Sequence, residues 1–150
     1  DHEGGIRTPM IAHWPRRIKE SGKISKTLSH LVDLMPTILH ATRGKSAEKF
    51  QGSPRITLDG RSILPSLLGK KQKDPAFLFF HHARGKAIRF GQWKLVFNRD
   101  GKKNARWELY DLEKDPTELN DLTTTYPERV KRLSSLWNEW EKNQVYRSSQ

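Results

Sequence analysis

Residues 86–97 read "KAIRFGQWKLVF". Two short runs rich in β-branched and aromatic residues flank Gly91-Gln92, a spacing that predicts a two-residue hairpin. Glycine at the first turn position accepts the positive φ that such a turn demands. On the N-terminal side, "FLFFHH" (residues 77–82) is another extended run. On the C-terminal side, "RWELYDL" (residues 106–112) follows the turn residues "NRDGKKN". Together these runs predict an antiparallel sheet of about four strands, a common sheet size.

The chain on either side of the sheet has a helical period. Pro127 follows Thr124 and Thr125, which places a proline in a first helical turn just after candidate caps. Val130, Leu133, Leu136, Trp137 and Trp140 then recur on one face, a stripe suited to covering the sheet. Ahead of the sheet, "SHLVDLMPTILHATRG" (residues 29–44) sets Leu31, Leu34, Ile38 and Ala41 at helical spacing. Asp33 is the expected N-cap, Pro36 falls in the first turn, and Gly44 is the expected C-terminal cap. "LDGRSILPSLLG" (residues 58–69) predicts a turn and a short helix ending at Gly69. Residues 45–57 read as an exposed irregular loop, and Met10 to Trp14 as a short buried strand closed by Pro15. The layout is α+β, with strand and helices over residues 1–75, then an antiparallel sheet covered by a C-terminal helix over residues 76–150.

Composition bounds the function. The chain has 150 residues, enough for one domain with a core, and its 5 Trp and 6 Phe argue against disorder. No apolar run approaches the roughly 18 residues of a membrane-spanning helix. Without cysteine, disulfides, thiolate metal sites and a cysteine nucleophile are excluded within these residues. A net charge of +11 invites a polyanionic partner. The cations are scattered (Arg16, Arg17 and Lys19; Lys70, Lys71 and Lys73; Lys102 and Lys103). No helix-turn-helix, zinc-finger or RNP-type signature accompanies them, so nucleic acid is not the expected partner.

Chemistry-bearing residues concentrate at the end of the first sheet run. His81 and His82 are adjacent in a strand and point to opposite faces, so one can pack while the other faces a cleft. Arg84 and Lys86 stand close by, around the turn residue Gly85. Histidine beside such cations suits binding an anionic oxygen or giving a proton to a leaving group. No metal-ligand pair appears among the six histidines, and no G-x-S-x-G or phosphate-cradling loop occurs. The carboxylates Asp111, Glu113 and Asp115 read as a solvated charged turn beside Pro116. No catalytic residue is assigned from residue chemistry alone.

Four stretches, in order, resemble the C-terminal part of the sulfatase family. They are "EGGIRTPMIAHWP" (residues 3–15), "HLVDLMPTILHATRG" (30–44), "LDGRSILPSLLG" (58–69), and "KAIRFGQWKLVF" with "WELYDLEKDPTELNDL" (107–122). The resemblance implies hydrolysis of sulfate esters by an arylsulfatase-like, formylglycine-dependent enzyme. On that basis residues 1–75 are the end of the family's large α/β domain and residues 76–150 its small C-terminal subdomain. The family's nucleophile motif C/S-x-P-x-R is absent here, as are its calcium-binding Asp and Asn residues. The family's active-site lysine lies a few residues before "EGG". The expected protein is therefore a C-terminal fragment of a sulfatase that hydrolyses no ester alone, calcium being bound in the full-length parent by ligands outside this chain.

The resemblance also implies which residues border the substrate. His82 aligns with a histidine preceding the "AIR" strand, and His81, Arg84 and Arg7 complete the expected substrate-binding set. Gly4 and Gly5 would allow close backbone approach beside the catalytic lysine. The implied partner is a sulfated small molecule or carbohydrate, in the periplasm or outside the cell. The competing expectation is a non-catalytic basic module that binds sulfated glycans or nucleic acid.

Overall fold

The computed structural model describes residues 1–19, 22–47, 49–50, 52–54, 57–82, 85–98 and 105–145. In chain order the elements are α1 (Glu3–Ile6), a 3-10 turn (Leu31–Asp33), α2 (Leu34–Thr42), a two-rung ribbon of β1 (Lys49–Phe50) and β2 (Ser53–Pro54), and α3 (Leu64–Leu67). They are followed by β3 (Phe77–His82), β4 (Gly85–Phe90), β5 (Trp93–Asn98), β6 (Arg106–Asp111) and α4 (Pro127–Val145). Two compact units result: residues 10–75, and residues 76–150 joined by the opening residues 1–9.

In the second unit, β3 to β6 form the expected antiparallel sheet, in sequence order. Phe90 pairs with Trp93 across the predicted turn, and Gly91 takes φ 58°. A Cβ at Gly91 would meet open space, so conformation rather than crowding reserves the position for glycine. Period-2 alternation sorts the side chains between two faces. One face carries Ile88, Leu95 and Leu109, which pack with Leu133 and Trp137 of α4. The aromatic side chains Phe77, Phe79, Phe90, Trp93, Trp107 and Trp140 surround that core. Trp137 is fully buried, and its indole N–H donates to the carbonyl of Phe80 at 3.3 Å. Burying each such side chain contributes about 1.5–3 kcal/mol. The other face carries Ala87, Val96 and Tyr110, flanked by Phe80 and Leu112.

The unit of residues 10–75 is held differently. Among the described residues its buried apolar side chains are Ile63 and Leu64, and hydrogen bonds join its segments. Buried Thr37 donates to the carbonyl of Asp33 at 2.6 Å and accepts the Ile63 N–H at 3.0 Å. Gln72 donates to the carbonyl of Ser62 at 2.8 Å and accepts the Ser66 hydroxyl at 3.0 Å. Gly60 passes so close to α2's entry that a Cβ there would collide with the carbonyl of Val32.

Four expectations need correction in this unit. Met10 to Trp14 form no strand, and Ile11 is 94% exposed. An apolar run becomes a strand only beside a ladder partner, and none pairs with it among the described residues. Residues 49–50 and 53–54, expected in an irregular loop, form an antiparallel ribbon. Asp33 does not cap α2, because the chain is already wound as a 3-10 turn over Leu31–Asp33. Its buried carboxylate instead accepts the N–H groups of His30 (2.9 Å) and Arg61 (2.8 Å), tying the helix entry to the next segment. At the other end, Arg43 rather than Gly44 takes the left-handed conformation, with φ 54°. The Gly44 N–H then reaches back to the carbonyl of Leu39 at 2.8 Å.

Candidate functional site

β3 ends in two histidines that its pleat directs to opposite faces. His81 lies on the α4 side, edge-on to Trp137 with ring centroids 5.5 Å apart. Lys86, its partner across the strands, sets its ammonium 4.3 Å above the same indole and 3.2 Å from the Glu141 carboxylate. His82 is exposed on the opposite face, paired in register with Gly85. The sheet therefore separates His81 from His82. Arg84 lies outside the described residues. Arg7 is exposed at the end of α1, its N–H donating to the carbonyl of Glu3 at 2.9 Å. At Gly4 and Gly5 a Cβ would meet no neighbour among the described residues, so the close approach expected there is not made within this chain.

The opening segment crosses the His82 face of the sheet. A Cβ at Gly85 would collide with the Asp1 carboxylate, which occupies the space that glycine leaves empty. Two residues on, Glu3 reaches a cluster that no feature singled out from sequence predicted. Lys94, fully buried on β5, has its ammonium 2.9 Å from Glu3 Oε1 and 2.9 Å from Glu118 Oε1. The Glu118 contact is an ion pair. Glu118 Oε2 accepts the Glu3 N–H at 2.6 Å and lies 3.1 Å from His2 Nδ1. Beyond His2, Glu108 accepts the Tyr110 hydroxyl at 2.9 Å and pairs with Arg106 at 3.3 Å. Burial of Tyr110, reinforced by that hydrogen bond to Glu108, pushes its phenol well above the ordinary tyrosine range.

The "DLEKDPTEL" turn builds the far wall of this cluster, which corrects the solvated reading for Asp111 and Asp115, whereas Glu113 is exposed as expected. Asp111, Asp115 and Glu118 are all buried. The Asp115 carboxylate accepts the N–H groups of Asn120 and Leu119, each at 2.8 Å. Those bonds, that of Asn120 foremost, hold its carboxyl below the usual range. They also fold the turn around Glu118, which sits at φ 58° and so aims its side chain at Lys94. The sequence did carry one signal: a lysine in the middle of the apolar run "WKLVF". A strand buried on both faces tolerates lysine only when carboxylates come to meet it.

The family model described as N-sulphoglucosamine sulphohydrolase, C-terminal, matches residues 1–145. The chain belongs to this family. An uncharacterized sulfatase of Schizosaccharomyces pombe is 32% identical over 142 residues, covering 93% of this chain and 26% of that protein. Human arylsulfatase A is 31% identical over 163 residues, covering 90% of this chain and 30% of the relative. This chain thus spans less than a third of the length of these relatives. A solved structure of a protein in complex with its substrate D-glucosamine-2-N,6-O-disulfate shares the fold, with a TM-score of 0.51 and 24% identity. That similarity covers 73% of this chain and 23% of the other.

Among the described residues no three His, Asp or Glu side chains converge to hold a metal, and Glu3 and Glu118 are already engaged by Lys94. Nor is any described helix long and apolar enough to cross a membrane.

Proposed function

We propose that this chain is the substrate-bordering C-terminal part of a sulfate-ester hydrolase, acting on a sulfated carbohydrate or small molecule. The observation that carries this reading, within the sulfatase family, is the exposed His82 on the face crossed by the opening segment. There the imidazole can give a proton to the departing alcohol oxygen, or as a cation hold a sulfate oxygen. Arg7, also exposed, is the second candidate for the anionic group. His81 and Arg84 complete the proposed set, His81 from the α4 side. Formylglycine as nucleophile and calcium as sulfate-binding ion are assigned to segments outside these 150 residues, which hydrolyse no ester by themselves. The boundary between large domain and subdomain is placed near residue 75. Sulfated polysaccharides point to a site of action in the periplasm or outside the cell.

The test is hydrolysis of 4-methylumbelliferyl sulfate and of D-glucosamine-2-N,6-O-disulfate by the complete reading frame that encodes this chain. His82→Ala is expected to lower kcat/KM by roughly 10²-fold, the lower range for loss of a proton donor. Unchanged kinetics would remove His82 from the site, and no sulfate release from either compound would remove the hydrolase reading.

The second reading is a basic module that holds sulfated glycans without cleaving them. It is favoured by the exposure of Arg16, Arg17, Lys19, Lys70, Lys71 and Lys73 on a chain of net charge +11. It predicts retention on heparin that weakens steeply with salt, and elution at low salt counts against it.

A further inference from the structure

The buried charges around Lys94 have no part in the reading above, yet they govern where the opening segment lies. A buried ion triad is seldom the most stabilising choice, because an apolar side chain of similar size commonly serves as well. What charges add is direction and register. Lys94 sits within β5, an inner strand of the sheet, between Trp93 and the fully buried Leu95. Both of its carboxylate partners come from segments without strand pairing: Glu3 from the four-residue α1, Glu118 from a turn in the left-handed conformation. Glu118 clamps the strap twice, through Lys94 to the Glu3 side chain and directly to the Glu3 N–H. His2 fills the remaining gap, 3.1 Å from Glu118 and edge-on to Tyr110 with ring centroids 5.9 Å apart. At the strap's other end the Asp1 carboxylate lies where Gly85 lacks a side chain, and Gly85 is the register partner of His82.

We propose that Lys94 is a positioning residue for the sulfate-ester site: through Glu3 and Glu118 it pins residues 1–6 across the sheet, so that the backbone at Asp1 is held beside the His82 end of β3. This rests on the reading that the His82 face borders the substrate. The pin acts through His82 and the strap, never on the ester itself. A strap displaced by about 1 Å is enough to lower turnover roughly 10²-fold.

The decisive comparison uses the complete reading frame with Lys94→Met, Lys94→Arg, and the triple variant Lys94→Met, Glu3→Gln, Glu118→Gln. Lys94→Met alone strands two buried carboxylates and can fail to fold, whereas the triple variant removes all three charges together. In the triple variant the sheet and α4 are expected to keep wild-type amide protection while residues 3–7 lose theirs. On 4-methylumbelliferyl sulfate its kcat is expected to fall by roughly 10²-fold with KM unchanged. Lys94→Arg is expected to retain part of both the protection and the turnover. Wild-type kcat in the folded triple variant would show that the triad serves stability alone and would overturn the proposal. Unchanged protection of residues 3–7 would overturn it as well. If the wild-type protein releases no sulfate, the hydrolase reading fails separately. The pin is then judged on whether the His82 imidazole resonances shift when the strap is freed, unshifted resonances overturning it.

Discussion

The two units use apolar residues in opposite ways. In the sheet unit, Ile88, Leu95, Leu109, Leu133 and Trp137 close on one another, and the large apolar side chains left exposed among the described residues are Leu119 and Tyr126. In residues 10–75 only Ile63 and Leu64 are buried among the apolar side chains described, while Met10, Ile11, Ile24, Leu31, Met35 and Ile38 stand exposed. Their patterns are equally regular, since α2 carries an apolar stripe as clearly as α4 does. The difference lies in what the stripe meets. α4 lies on a complete four-stranded face, whereas α2 finds α3 and a few loop residues. An amphipathic pattern states that a face is meant to be covered, and it does not state that the cover is near in sequence.

The sharpest way to break this comparison is Trp137→Ala. Emptying the site under α4 should destabilise the protein by about 3–5 kcal/mol in urea denaturation followed by far-UV circular dichroism. A loss below about 1 kcal/mol would mean that the sheet core is no tighter than the other unit.

Gly60→Ala probes the other side of the comparison. Residues 10–75 depend on close backbone approach in place of an apolar core, so the methyl group should cost about 1–3 kcal/mol, as overpacking does. Alanine at the exposed Gly4, which meets open space, is the matched control.

pH separates the two faces of the sheet. The Tyr110 phenol titrates above its unfolded value of about 10, so the native state favours the neutral form. Its contribution is therefore fully present below pH 10 and is lost as the pH rises further. Tyr110→Phe should lower stability near pH 7 by about 1 kcal/mol, the usual net worth of a hydrogen bond. The gap from wild type should then narrow in urea titrations above pH 10. A gap independent of pH would show that Tyr110 is not coupled to the buried carboxylates.

The smallest effect is expected at Ile11→Ser. Its side chain is 94% exposed, so stability should change by less than about 0.5 kcal/mol. A larger loss would mean that residues 10–14 are covered after all.

The sheet and α4 were legible in the sequence because strand alternation, a glycine turn and a helical stripe are each written within about ten residues of chain. Met10 to Trp14 misled for the same reason, since a short run of four apolar residues and His13 specifies hydrophobicity but not a neighbour. Asp33 was recognisable as a local acceptor, yet its second partner, Arg61, lies 28 residues away. Of the candidate site, the opposite orientations of His81 and His82 follow from the pleat alone. That His82 shares its face with the opening segment required the tertiary structure.

By itself, then, the sequence determined which runs form the four-stranded sheet, where the chain turns back between β4 and β5, and which stripe of α4 is buried. The tertiary structure alone decided that Lys94 would be neutralised by Glu3 and Glu118. Glu3 lies 91 residues from Lys94 in the chain and 115 from Glu118. Local backbone preference cannot encode a charge pair across such distances. It forms because a lysine enclosed by Val96, Tyr110 and their neighbours loses its water, and only carboxylates delivered by two other segments can replace it.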